Sequence, residues 1–176
     1  RIPQADRFTR KKKFKGWELD LLLGKEITGK RLGIVGMGRI GRAVALRAQA
    51  FRMETVYSDP HHMTPEEERK YKVSFLPLDK LLSTSDIISI HAAFTSRTSH
   101  LISKSKISLI RKEAILVNVA RGPIVDERAL ADALEKGRIW GAGLDVYEKE
   151  PEVEEKLLSL NNVVLLPHIG SATYET

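Results

Sequence analysis

The sequence predicts an α/β fold, a doubly wound parallel sheet with helices on both faces. Three observations predict it. From Arg31 onward, short apolar runs alternate with amphipathic segments. The runs are continuously apolar, as in strands buried on both faces, and lack the alternation of half-exposed ones. The segments between them carry helix start and stop residues.

Taken in order, residues 1–30 fit this scheme least. "IPQADRFTRKKKF" reads as the tail of a helix, and "KGWELDLLLGKEITGK" as an irregular connector. The α/β domain is therefore expected over 31–176. Its strands are read from "RLGIVG", "METVYSD", "YKVSF", "DIISIH", "AILVNVA", "GAGLDV" and "NVVLLPH". After the glycines, Ile40, Ala43, Val44, Ala48 and Phe51 keep helical spacing on one face. "MTPEEERK" opens a helix with Thr64 as cap, Pro65 in the first position and acids in the first turn, where the dipole favours them. "VDERALADALEKG" has Asp126 as cap and Gly137 as stop. The closing "GSATYET" reads as a helix that opens and then stops.

Composition bounds the function. The 176 residues are 42% apolar and 30% charged, the balance of a globular protein. No apolar run approaches the roughly 20 residues of a membrane helix, so no membrane partner is expected. The absence of cysteine excludes disulfides and thiolate metal sites and fits a reducing, cytoplasmic setting. The chain opens at Arg1 with no methionine or apolar leader, so its native N-terminus and any targeting signal are not visible. The net charge of +6 is local: residues 1–31 hold ten Lys/Arg against four Asp/Glu, and the remainder balances. "RKKKFK" reads as a solvated helix end, and without a recognisable nucleic-acid fold no nucleic-acid partner is expected.

The stretch "GIVGMGRIG" carries the first chemistry. Gly36, Gly38 and Gly41 follow an apolar strand and precede an amphipathic helix; a second strand then ends in Asp59, eighteen residues after the last glycine. This is the strand-turn-helix-strand-acid order of dinucleotide sites. Gly36 would make the tight turn, Gly38 would leave room for pyrophosphate, and Gly41 would let helix and strand pack. Amides around Arg39 and Ile40, at the positive helix end, would receive the phosphate charge. A carboxylate at Asp59 would accept from both ribose hydroxyls and repel a 2′-phosphate, favouring NAD over NADP. Its bland alternative is that Asp59-Pro60 merely starts a turn.

Downstream, Arg121 follows a buried-looking strand, where its guanidinium can hold a carboxylate through two bonds. A structural salt bridge is its bland alternative. His168 also lies just past a strand, and Glu150 is its candidate partner. The other histidines, His61, His62, His91 and His100, have no metal-ligand spacing, and no metal site is expected.

In their order along the chain, "LGIVGMGRIG", "VNVARGPIVDE", "GAGLDVYEKEP" and "LPHIGSAT" closely resemble the NAD-dependent, D-isomer-specific 2-hydroxyacid dehydrogenases, of the glyoxylate/hydroxypyruvate reductase and 3-phosphoglycerate dehydrogenase kind. The resemblance covers nearly all of the chain and implies a Rossmann-like NAD-binding domain whose substrate domain is absent. By position it implies Arg121 as the substrate-binding arginine, Glu150 as the dyad glutamate and His168 as the acid/base. Asp145 matches the aspartate that holds the nicotinamide carboxamide. Ala92, Val119, Ala120 and Gly170 fall, with Arg121 and His168, at cofactor-contacting positions.

The implied reaction passes hydride from NADH to the carbonyl carbon of a small 2-keto acid while His168 gives its proton to the carbonyl oxygen. Glu150 would stabilise the charged imidazolium, and Arg121 would orient the carboxylate. Relatives resembling formate dehydrogenases carry glutamine at the glutamate position, so Glu150 argues for hydroxyacid chemistry. One departure lies in "IHAAFTSRT", with Ala93 where proline is common. The family also implies a homodimer to which residues 1–30 contribute an arm. Trp17, Leu19, Leu21, Leu22 and Leu23 would then face the partner, or else pack on their own sheet. A second implied reading is an NAD-sensing, corepressor-like binding module.

Overall fold

The computed structural model describes all 176 residues. A first helix, α1 (Ile2–Arg10), is followed by β1 (Arg31–Val35), α2 (Arg39–Ala50), β2 (Glu54–Ser58), α3 (Pro65–Tyr71) and β3 (Val73–Phe75). The second half runs through α4 (Leu78–Thr84), β4 (Ile87–Ile90), α5 (Lys104–Ile107), β5 (Ile115–Asn118), α6 (Glu127–Glu135), β6 (Gly141–Leu144), α7 (Glu155–Ser159) and β7 (Val163–Leu165). The seven strands form one sheet in the order β3-β2-β1-β4-β5-β6-β7, and every pairing is parallel. All seven apolar runs picked from the sequence are strands of this sheet.

Helices cover both faces, and the core is split accordingly. Leu32, Ile34 and Tyr57 point to α2 and α3, where they meet Ala45, Ala48 and Met63. Val35, Val56, Ile88 and Leu116 belong to the larger core under α4 to α7, with Leu81, Leu130 and Leu157. Neighbouring residues of one strand thus enter opposite cores, which is why the strands read as unbroken apolar runs.

Local chemistry sets the helix ends. Thr64 Oγ1 accepts from the Glu67 amide while the Glu67 carboxylate accepts from the Thr64 amide, a reciprocal capping box ahead of Pro65. Asp126 accepts from the Ala129 amide to cap α6, and Gly137 (φ +60°) follows that helix in the left-handed region.

Two sequence expectations are corrected. The inward face of α2 is Gly41, Ala45 and Ala48, whereas Ile40 and Phe51 are exposed. The helix needs its smallest side chains where it presses on the sheet, so the larger apolar residues turn outward. The closing residues 169–176 form turns and no helix. Asp145 engages their first two amides, which ties the opening of the segment to the sheet edge in place of a helical turn.

Residues 1–30 hold one helix with no buried residue. Beyond it, Trp17 (84% exposed), Leu19 and Leu23 project into solvent and leave the sheet untouched, while Leu21 and Leu22 are half-buried. Arg1 and Lys25 lie over the Trp140 ring and tie the segment to the domain. No helix is long and apolar enough to cross a membrane.

Candidate active site

Parallel strands bring all their carboxyl ends to one edge of the sheet, and the sequence-predicted residues lie at or just past those ends. Past β1, Gly36 turns with φ +94°; a Cβ there would lie 2.4 Å from the Ala92 amide nitrogen. Only glycine serves at this close crossing of β1 and the loop after β4. Gly38 differs, since a Cβ there would meet nothing within 4 Å. It opens the space before α2, whose first amides have no side-chain cap. At Gly41 a Cβ would lie 2.3 Å from the Gly36 carbonyl oxygen, so this glycine lets α2 rest on the turn.

Both carboxylate oxygens of Asp59 accept from backbone amides. Its Oδ2 accepts from the Met37 amide at 2.8 Å, tying the end of β2 to the glycine loop, and its Oδ1 accepts from the His61 amide at 2.8 Å in a local turn. Beside it opens a crevice of about 690 Å³ lined by Gly36, Asp59, Pro60, Ala92 and Thr98. His91, half-buried, meets the Ser89 hydroxyl at 2.8 Å, and burial pushes its pKa down.

At the end of β5 the buried Asn118 organises the backbone. Its Nδ2 donates to the Arg121 carbonyl at 3.0 Å and its Oδ1 accepts from the Ala120 amide at 3.1 Å. These bonds aim the turn that carries the exposed Arg121, whose Nη1 donates to the Ala120 carbonyl at 2.6 Å. Gly122 follows because a Cβ there would overlap the Tyr147 carbonyl oxygen, at 1.8 Å.

Past β6 and β7 the second half of the site assembles. The His168 Nδ1 is 2.8 Å from the Glu150 Oε2, and Glu150 Oε1 accepts from the Tyr147 amide at 3.1 Å. The His168 hydrogen bond, foremost, and then the Tyr147 amide hold the Glu150 carboxyl below its ordinary range, with a smaller push from the Arg121 charge. His168 adopts φ +57°, and the buried Asp145 anchors the residues after it through the Ile169 and Gly170 amides, at 2.8 and 2.6 Å. Tyr147 donates from its hydroxyl to the Leu166 carbonyl at 2.8 Å, fixing the approach to Pro167 and His168. The buried Glu127 accepts from the amides of Glu148 and Glu154 at 2.8 and 2.9 Å, closing the loop that carries Glu150.

The structure therefore brings Glu150 and His168 into contact and puts Arg121 close enough to bias that glutamate, without a direct bond. Gly36, Gly38, Arg39, Ile40, Gly41, Asp59 and Ala92 form one half of the edge; Val119, Ala120, Arg121, Asp145, Glu150, His168 and Gly170 form the other. A dinucleotide fits the first half: an uncapped helix end, an open position at Gly38 and a carboxylate beside a crevice are what a diphosphate and a ribose need. A pair in which Nδ1 is engaged leaves Nε2 free to hold or give a proton.

Asn118 and Glu127 were not singled out in the sequence. Their signal is faint: a polar residue inside "ILVNVA", and a second acid beside the capping Asp126.

Comparison with known proteins shows the family. The model of the family described as "D-isomer specific 2-hydroxyacid dehydrogenase, NAD binding domain" matches residues 1–170. A Staphylococcus haemolyticus protein bearing the name 2-hydroxyacid dehydrogenase is 47% identical over 99% of this chain and 55% of its own length. A glyoxylate reductase from Paecilomyes thermophila superposes with a TM-score of 0.88 at 41% identity, over 97% of this chain and 50% of that one. An acyclic imino acid reductase, solved with NADPH and D-Arg, gives a TM-score of 0.87 at 32% identity, over 99% of this chain and 54% of that one. The chain spans about half the length of the curated relatives it matches. By its motifs, its sheet order and the family model, the chain belongs to the D-isomer specific 2-hydroxyacid dehydrogenases and is their NAD-binding domain.

Proposed function

We propose that this domain serves an oxidoreductase that interconverts a small 2-keto acid and its D-2-hydroxy acid with NAD(H). The observation that carries the reading is the 2.8 Å contact of His168 with Glu150 on the same sheet edge as the glycine turn. A glyoxylate reductase among the relatives supports that substrate class.

When bound, NADH supplies the hydride. The chain's own residues do the rest. Amides at the start of α2 would receive the diphosphate, and Asp59 beside the crevice would hold the ribose, which favours NAD over NADP. Arg121 binds and orients the substrate carboxylate. Glu150 engages Nδ1 of His168, so Nε2 gives its proton to the carbonyl oxygen and takes it back in the reverse direction. Asp145, Val119, Ala120, Ala92 and Gly170 would hold the nicotinamide side.

Trp17, Leu19 and Leu23 form a homodimer arm, their exposure being relieved by a second copy. The setting is cytoplasmic, and the basic run at residues 10–15 remains solvated, with neither nucleic acid nor membrane as partner. No observation favours the NAD-sensing alternative.

The test is a fluorescence titration of this chain with NADH, followed by assay of glyoxylate and hydroxypyruvate reduction by the natural polypeptide that carries residues 1–176. Saturable binding in the micromolar to millimolar range with turnover is the expected result. Binding without reduction of any 2-keto acid would overturn the enzymatic reading.

A further inference from the structure

A second imidazole–carboxylate pair lies outside the residues assigned above. His100 Nε2 meets Glu148 Oε1 across 48 positions of sequence, joining the loop after β4 to the loop after β6. Between these two loops runs the Gly122–Pro123 turn that follows Arg121. On one side the His100 amide donates to the Pro123 carbonyl at 2.8 Å, and Ile102 continues the contact to the Ile124 carbonyl at 3.0 Å. On the other side Gly122 lies so close to Tyr147 and Glu148 that a Cβ would fall 2.5 Å from the Glu148 nitrogen. The side-chain pair closes this sandwich. Glu148 is itself fixed by Glu127 through its amide, and Glu150 follows two residues later on the same loop.

We propose that His100 is a positioning residue of the reaction: with Glu148 it clasps the Gly122–Pro123 turn and sets the spacing of Arg121 from the Glu150–His168 pair. The inference rests on the reading of Arg121 as the carboxylate holder. His100 adopts φ +47°, so its imidazole is presented from a left-handed backbone position. Two carboxylates face it, Glu148 from the loop after β6 and Asp126 from the cap of α6, and the Glu148 hydrogen bond foremost raises its pKa. A raised histidine pKa means that the clasp is complete at low pH and is lost as pH rises through the pKa of the folded state.

The experiment compares H100N, which suits the left-handed backbone but removes the charge, with E148Q and with H100K, which keeps a charge at all neutral and mildly alkaline pH. Lys72 occupies the same backbone region at φ +50°, so this fold accepts lysine in that conformation. In the natural polypeptide carrying this chain, H100N and E148Q are expected to raise KM for glyoxylate about threefold to fivefold, the scale of a half-exposed ion pair, with kcat and NADH affinity little changed. The wild-type KM is expected to climb with pH across the His100 titration, and that climb is expected to flatten in H100K. Unchanged KM and an unchanged pH profile in H100N and E148Q would overturn the proposal.

Nuclear magnetic resonance of the 176-residue chain separates this inference from the enzymatic one. The Arg121 Nε resonance is expected to shift with the His100 midpoint, and E148Q to lower that midpoint, whether or not glyoxylate is reduced. An Arg121 signal indifferent to His100 titration sinks the clasp, and failure of wild-type turnover alone sinks only the assigned reaction.

Discussion

His168 reaches Glu150 with Nδ1 at 2.8 Å, from a left-handed backbone at φ +57°. The contact fixes which nitrogen is free for chemistry. Replacing His168 with Asn, which suits that backbone, is expected to lower kcat/KM for keto-acid reduction by about 10²- to 10⁴-fold with NADH binding retained, the loss typical of a missing acid/base group. Steady-state rates and an NADH titration check it.

The same contact predicts an acid limb. Hydrogen bonds from His168 and the Tyr147 amide hold the Glu150 carboxyl below its ordinary range. A depressed carboxyl contributes above its unfolded pKa and is lost as pH falls through the folded value. The Glu150–His168 pair is therefore expected to persist below the ordinary glutamate titration and to break only under more acidic conditions. The pH at which the Glu150 side-chain carbon resonance titrates, read by nuclear magnetic resonance, gives the outcome directly, and a midpoint at or above the free-residue value contradicts it.

The glycines of the loop separate folding from binding. A Cβ at Gly38 meets nothing within 4 Å, and one at Gly41 would lie 2.3 Å from the Gly36 oxygen. Gly38→Ala is expected to leave the melting temperature within about 2 °C while weakening NADH binding by tenfold or more. Gly41→Ala is expected to lower the melting temperature, with a cost of about 1–3 kcal/mol for overpacking against backbone. Calorimetry and NADH titration of both variants distinguish the two roles.

Asp59→Asn keeps an oxygen for one amide contact and removes the charge beside the crevice. The ratio of NADPH to NADH dissociation constants is expected to move toward NADPH by about tenfold, or about 1.4 kcal/mol. An unmoved ratio would mean that Asp59 serves only the backbone amides of Met37 and His61.

Trp17, Leu19 and Leu23 are all more than half exposed. A triple replacement by Ser is expected to convert a dimer into a monomer in sedimentation velocity, with the fold of the domain unchanged because none of the three enters its core. A wild-type monomer at micromolar concentration would remove the arm's proposed role.

Much of this architecture was legible because strands buried on both faces leave unbroken apolar runs; "AILVNVA" and "NVVLLPH" could be read directly. The short helices were harder. Leu78, Leu81 and Leu82 have helical spacing, but α4 spans only seven residues between a proline and a serine, and such a length gives periodicity little room. At the site, Arg121, Glu150 and His168 carried motif context. Asn118 and Glu127 did not: Asn118 bonds the nearby Ala120 amide and Arg121 carbonyl from inside an apolar run that reads only as strand, and Glu127 accepts from the amides of Glu148 and Glu154, which nothing local in a sequence places within its reach. The face of α2 is legible only in part for a related reason: of the spaced apolar residues Ala48 and Val44 meet the core, but close packing on the sheet selects Gly41 and Ala45 over Ile40 and Phe51.

Asp145 has a mechanical consequence. Because its buried carboxylate grips the Ile169 and Gly170 amides, a tug applied beyond Gly170 ends at that mooring and does not reach the imidazole one residue upstream. With the Tyr147 hydroxyl on the Leu166 carbonyl before it and the Asp145 carboxylate on two amides after it, the proton donor is seated between two fixed bearings.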